Sequence, residues 1–126
     1  AVKRMSTRRG GKGGAIVNNS SAAARLGAPN EYVDYAASKA ALDTLTIGLA
    51  KEVADQGIRV NAVRPGIIKT DIHILGGEPG RPERLAEFIP MKRSGEAEEV
   101  ATAIVWLLSD EASYITGTLL DIAGGR

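Results

Sequence analysis

The sequence contains no cysteine, which excludes disulfides, thiolate metal sites and a cysteine nucleophile. It has one histidine, His73, so a histidine-based zinc site would have to draw its other ligands from carboxylates. His73 stands just past Thr70-Asp71 in a segment that reads as loop, and no metal site is expected. An excess of one charge is also missing: 16 basic residues against 15 acidic ones leave a formal net charge of +1. That balance calls for neither nucleic acid nor an anionic membrane. The one dense basic cluster, Lys3, Arg4, Arg8, Arg9 and Lys12, has no aromatic residue interleaved with it. It therefore offers bases no stacking platform and reads as a solvated loop. Long apolar runs are absent as well. The longest strongly apolar one, Ile104-Val105-Trp106-Leu107-Leu108, is far too short to span a bilayer, and the amino terminus carries no secretory segment. The Asn-x-Ser tripeptides that start at Asn18 and Asn19 lie at the end of an apolar strand and read as chance. A cytoplasmic protein is expected, with no membrane and no nucleic-acid partner.

What is present is ordinary for one domain. At 126 residues the chain suffices for a single modest domain, and 44% hydrophobic with 25% charged residues fit a globular protein. It opens Ala1-Val2-Lys3-Arg4-Met5, with no initiator methionine and no capping residue, as though inside a helix. The chain is therefore expected to be a piece of a longer one. Residues 13–19 read as a short buried strand introduced by glycines, and residues 20–30, rich in Ser, Ala, Gly and Pro, as a loop. From about Glu31 apolar positions recur at helical spacing through Ile47, Leu49, Ala50 and Val53. They stop at Gly57, the residue type expected past a helix end. One face of this helix is mostly small, with Ala37, Ala41, Thr44 and Gly48, and permits close approach by another helix.

Ile58 to Val63 alternates apolar and polar and predicts a strand, broken by Pro65-Gly66. Residues 69–95 contain Gly76, Gly77, Pro79, Gly80, Pro82 and Pro90, which predict a long excursion with a short helix near 82–88. A loop that long inside a compact domain is usually functional, often a lid. Glu96 to Ser109 reads as a second helix, with acids in its first turn and an apolar stripe through Val100, Ala103, Ile104 and Leu107. Residues 118–122 read as a final strand. Strands alternating with helices predict an α/β fold with a parallel sheet and right-handed crossovers.

Tyr35 and Lys39 are four apart on the long helix, so they project from one face about one turn apart. An ammonium group near a phenol favours phenolate. A tyrosine, ordinarily titrating near pH ~10, needs such help to serve as a base near neutrality. A Tyr-x-x-x-Lys pair alone says little, since any helix offers many pairs at that spacing. This one has company. Ser20-Ser21 stands at the carboxyl end of an apolar strand, where α/β sheets place their ligand sites. Pro65-Gly66 follows the next strand at the same rim.

Seven stretches carry a family resemblance: Ala15 to Ser21, Tyr35-Ala36-Ala37-Ser38-Lys39-Ala40-Ala41-Leu42, Ile58 to Gly66, Thr70-Asp71, Glu98 to Ala101, Tyr114 to Gly117, and Asp121 to Gly125. In order, and across essentially the whole chain, they resemble the carboxyl-terminal half of the classical short-chain dehydrogenase/reductases. Within that family the chain is most similar to bacterial glucose-dehydrogenase-like oxidoreductases. The resemblance implies the last three strands of a Rossmann-type parallel sheet with flanking helices. It also implies an NAD- or NADP-dependent oxidoreductase that moves a hydride between the nicotinamide and a small alcohol or carbonyl.

The same resemblance implies roles. Tyr35 would be the general acid/base on the substrate oxygen. Lys39 would lower the tyrosine's pKa and hydrogen-bond the nicotinamide ribose. Ser21 would hold the substrate carbonyl or hydroxyl, since the family places that hydroxyl second in the pair, not at Ser20. Tyr32 has Ala36, not lysine, four residues on. Pro65, Gly66 and Ile68 would line the nicotinamide, Ile68 through its backbone, and Thr70 would reach the carboxamide or a phosphate. Residues 71–90 would be the substrate lid. Its one aromatic residue, Phe88, and its mixed charges, Glu78, Arg81, Glu83 and Arg84, fit a small polar carbonyl or a sugar better than a steroid. A homodimer or homotetramer is implied too.

The family's Thr-Gly-x-x-x-Gly-x-Gly turn, its Asn-Asn-Ala-Gly strand end and a fourth catalytic residue, an asparagine, are not in this sequence. Gly10-Gly11-Lys12-Gly13-Gly14 is no substitute, because it precedes a strand instead of joining a strand to a helix. The pyrophosphate cradle and the residue that chooses NAD or NADP are therefore expected on an amino-terminal half that acts as this chain's partner. Two other readings stay open: a non-catalytic relative that uses the fold for binding or assembly, and an unrelated α/β module.

Overall fold

The computed structural model describes residues 1–126. It begins with one helical turn, α1 (Val2–Met5), and a 3₁₀ turn at Thr7–Arg9. Between them the buried Ser6 donates its hydroxyl to Gln56 Oε1 at 2.7 Å, fastening this segment to the 3₁₀ turn at Ala54–Gln56. β1 (Gly14–Asn19) follows where the pattern placed it. Its entry has to be glycine: a Cβ on Gly13 would come within 2.4 Å of the Gly57 carbonyl oxygen.

Residues 20–30 were expected as loop but contain one more helical turn, α2 (Ala23–Leu26). Three consecutive alanines from Ala22 favour a helix, and the Ser21 oxygen accepts the Ala23 N–H at 3.1 Å. The long helix α3 (Val33–Val53) runs on into a 3₁₀ turn at Ala54–Gln56 and stops at Gly57, left-handed at φ 72°. β2 (Ile58–Pro65) is longer than the alternating pattern suggested and includes its proline. Pro65 is tolerated there because the ladder to the neighbouring strand is continued by Gly66, whose N–H donates to the Ile122 carbonyl at 3.0 Å.

The excursion holds two short helices, not one. β3 (Ile68–Lys69), α4 (Ile72–Leu75), α5 (Arg81–Ala86) and β4 (Gly95–Glu96) succeed one another, and Pro82 in the first turn of α5 sets its start. β3 and β4 pair in parallel, Ile68 with Gly95 and Lys69 with Glu96, so the excursion closes at a narrow neck. α6 (Ala97–Leu108) opens with a capping box: the Glu96 side chain takes an amide of the first turn, and Glu99 reaches back to the Glu96 N–H at 2.9 Å. β5 (Leu119–Ile122) ends the sheet.

The three main strands run parallel in the order β1-β2-β5, with Asn19 opposite Val63 and Pro65 opposite Ile122. β2 is central, and its alternation serves two layers. Ile58 and Val60 pack with Ala50 and Val53 of α3, while Val63 packs with Val100 and Leu107 of α6. Buried Asn61 sets the register of β5, donating to the Ile115 carbonyl at 2.9 Å and accepting the Thr118 N–H at 3.1 Å. The result is a parallel α/β sheet with a helix on each face. All carboxyl ends of its strands form one rim. No helix is long and apolar enough to cross a membrane.

Candidate active site

The rim is assembled by backbone bonds that continue the strands. Beyond β1, Ser20 N–H donates to the Val63 carbonyl and Ala22 N–H to the Pro65 carbonyl, both at 2.9 Å. These two bonds carry Ser21 across the end of β2. From the other side, the Ser20 hydroxyl donates to the Lys39 carbonyl at 3.2 Å, and Lys39 Nζ donates to the Asn19 carbonyl at 2.8 Å. The same Nζ lies 5.6 Å from the centre of the Tyr35 ring. Tyr35 itself is 40% exposed at the rim.

The neighbouring serines differ in what their hydroxyls are doing. Ser20 is buried and its hydrogen is committed to Lys39. The Ser21 oxygen accepts from Ala23, which leaves its own O–H to donate outward. Tyr32, at the start of α3, lies under the Arg81 guanidinium, 5.5 Å from ring centre to Cζ. Arg81 also bonds Glu31, so α5 of the lid is fastened to the amino end of the helix that bears Tyr35.

Pro65 and Gly66 sit at the rim beside Ala22. A Cβ on Gly66 would lie 2.9 Å from both Cα and Cβ of Ala123, so only a glycine at the end of β2 lets the chain beyond β5 approach this closely. Ile68 and Thr70 lie farther along, at and past the neck. The Ile68 side chain packs against the α6-side core, and its carbonyl meets His73 Nε2 at 2.8 Å. That contact gives His73 a structural partner, and no group of three metal-ligating side chains exists. Thr70 is exposed, and its carbonyl receives the His73 N–H at 3.4 Å. The geometry thus brings Tyr35, Lys39 and the Ser20-Ser21 turn together with Pro65 and Gly66, while Ile68 and Thr70 belong to the lid's base.

That base is strongly charged. Lys69 Nζ lies 2.6 Å from Glu96 Oε1, and Arg93 grips Glu99 with two nitrogens, each at 2.7 Å. The Arg93 hydrogen bonds, with the Glu96 N–H behind them, hold the Glu99 carboxyl down to about 2, and Glu96 raises Lys69 above its ordinary value.

Two further features were not read from the sequence. Asn19 holds the Lys39 ammonium through a main-chain carbonyl, which leaves no trace in residue type. Asp43, one turn past Lys39, is buried with its Oδ2 on Arg64 Nε at 2.9 Å. An acid on the inward face of a helix was the available signal.

A tyrosine and a lysine one turn apart on a helix thus lie at the carboxyl rim of a parallel α/β sheet, beside the Ser20-Ser21 turn. Comparisons with known proteins give the lineage. The family model described as enoyl-(acyl carrier protein) reductase matches residues 1–126. The uncharacterized oxidoreductase YgfF of Escherichia coli (strain K12) is 68% identical over 126 residues, which is 100% of this chain and 51% of that protein. The glucose and ribitol dehydrogenase homolog of Oryza sativa subsp. japonica is 41% identical over 99% of this chain and 42% of its own length. Among solved structures, a blue fluorescent protein from a metagenomic library, in complex with NADPH, superposes with a TM-score of 0.78 at 33% identity. It covers 88% of this chain and 44% of that one. The chain belongs to the short-chain dehydrogenase/reductase family, and it spans about half the length of the curated relatives it matches.

Proposed function

We propose that the complete protein to which this chain contributes is an NAD- or NADP-dependent oxidoreductase of small alcohols and carbonyls, with Tyr35 exchanging a proton with the substrate oxygen. The observation that carries this reading is the Tyr35–Lys39 pair, held at the rim by the bond from Lys39 to the Asn19 carbonyl. The donors present fit a nicotinamide nucleoside. An ammonium group has three hydrogens, and Lys39 gives one to Asn19, so two remain for the hydroxyls of a ribose. Pro65 and Gly66, with Ile68 and Thr70 farther along at the base of the lid, are assigned to the nicotinamide side. When bound, the nicotinamide supplies or accepts the hydride.

The chain's own residues do the rest. In the direction of reduction Tyr35 gives its hydroxyl proton to the carbonyl oxygen, and in oxidation it takes the proton back. The Lys39 cation faces the negative charge left on the phenol oxygen. Ser21, already an acceptor from Ala23, donates to the substrate oxygen and fixes its position. Residues 71–90 cover the substrate, and their mixed charges suit a polar carbonyl or a sugar. The naming of one relative as a glucose and ribitol dehydrogenase homolog supports that lean, and a neighbour's complex with NADPH supports the cofactor class.

We place the protein in the cytoplasm, as a homodimer or homotetramer built on the small-residue face of α3, where Ala37, Ala41, Thr44 and Gly48 are all exposed. The nucleotide's phosphates are assigned to an amino-terminal half. The test is Tyr35→Phe in the full-length protein. Turnover should fall by about 10²–10⁴-fold, the usual worth of acid/base catalysis, with nucleotide affinity little changed. Wild-type turnover in that variant refutes the assignment.

A further inference from the structure

α3 has an unusual problem of orientation. Its inward face carries Ala36, Asp43, Thr46, Ala50 and Val53, of which only Val53 is a large apolar residue. Its outward face carries Leu45, 57% exposed. Burial of apolar surface therefore distinguishes the two faces weakly, and rotation about the helix axis must be set by something else. Four polar bonds reach from α3 to the sheet. Three go to β1 and the turn just beyond it: Lys39 Nζ to the Asn19 carbonyl, Ser20 Oγ to the Lys39 carbonyl, and Asn18 Nδ2 to Thr46 Oγ1 at 2.9 Å. The fourth, Arg64 Nε to Asp43 Oδ2, reaches the central strand and pairs two charges.

Asp43 is 5% exposed, and its second oxygen, Oδ1, is buried without a hydrogen-bond partner. The bond to Arg64 thus holds the whole carboxylate. Arg64 in turn lies 3.6 Å from Asp121 of β5, and Asp121 lies 3.3 Å from Arg25 of α2, the turn that follows Ser21. Two acids and two arginines link the helix of Tyr35 to the turn behind Ser21. We propose that Asp43 and Arg64 are positioning residues for the reaction: their pair fixes the rotation and axial level of α3, and so the aim of Tyr35 and Lys39 at the substrate held by Ser21. This rests on the acid/base reading of Tyr35. Asp43 lies one turn past Lys39 and two past Tyr35 on the same side of the helix, and each residue of slip turns the helix by about 100°. Misplacement of a reacting group by about 1 Å costs on the order of 10²-fold in rate.

The test uses the complete holoenzyme and three variants. Asp43→Leu alone orphans a buried guanidinium and threatens folding, so the informative variant is Asp43→Leu with Arg64→Met, which leaves no buried charge and is expected to fold stably. If the pair positions the helix, this double variant melts within a few degrees of wild type yet has a kcat lowered by about 10–100-fold. Asp43→Asn, which keeps an acceptor for Arg64 Nε, should recover most of that loss. A double variant with wild-type kcat overturns the proposal, as does a loss of kcat that merely tracks the fraction unfolded. Tyr35→Phe, run alongside, separates the two ideas. Wild-type turnover there refutes the acid/base reading and this proposal with it. A slow Tyr35→Phe beside a fast double variant refutes positioning alone.

Discussion

An added Cβ on Gly66 would sit 2.9 Å from both Cα and Cβ of Ala123, closer than carbon atoms tolerate without something moving. Neither neighbour is the far end of a flexible side chain, so the strain must be taken up by the end of β2 or by the segment after β5. Gly66→Ala is expected to destabilise the protein by about 1–3 kcal/mol, as overpacking does, and a thermal melt of the full-length protein checks it. Other single positions were open to reading in advance to different degrees. Tyr35 and Lys39 stood out because helical spacing of four translates directly into a shared face. Ser20 and Ser21 are indistinguishable as letters, and the resemblance alone chose between them. In the structure their hydroxyls differ: Ser20 donates to the Lys39 carbonyl, and Ser21 accepts from the Ala23 N–H. Arg64 and Asp43 stand 21 positions apart in sequence and meet only through the fold, so no local pattern could join them.

At the scale of elements, the capping box of α6 and the neck of the lid share one carboxylate. Glu99 accepts from Arg93 and from the Glu96 N–H, and its carboxyl is lowered from 4.5 to about 2, by Arg93 first and the backbone donor second. A carboxyl whose folded pKa is depressed lends stability that is fully present above the unfolded value and disappears as pH falls through the folded one. Wild-type stability should therefore decline from about pH 4.5 towards pH 2 for this reason. Glu99→Gln should show a flatter decline over that window in melts taken at a series of pH values. Equal slopes for the two proteins would contradict the role given to Glu99. The same elements show what periodicity conveys. α3, β2, α6 and β5 are long enough to repeat their apolar pattern, and each appears close to where it was expected. α2 is a single turn and β3 and β4 are two residues each, too short to repeat any pattern, so they became visible only in three dimensions.

For the whole molecule, the sheet order β1-β2-β5 leaves β1 with one strand neighbour and one open row of backbone donors and acceptors. Such an edge invites a further strand, and the chain's relatives are about twice its length. Residues 1–126 alone are accordingly expected neither to bind a nicotinamide nucleotide measurably nor to transfer hydride, whereas mixing with the amino-terminal portion of the full-length protein should restore both. Calorimetry on the purified, mass-verified chain decides the matter, and tight stoichiometric binding by that chain contradicts the division. The neck of the lid bears on the molecule's integrity. β3 and β4 pair with each other and not with the main sheet, and the Lys69–Glu96 contact lies across the pair. Residues 70–94 are therefore a ring fastened at its base. A protease that cuts at Leu75, 86% exposed, or at Phe88, 74% exposed, breaks the covalent thread without freeing either piece. The nicked protein should migrate as one species under native conditions and as two bands once denatured.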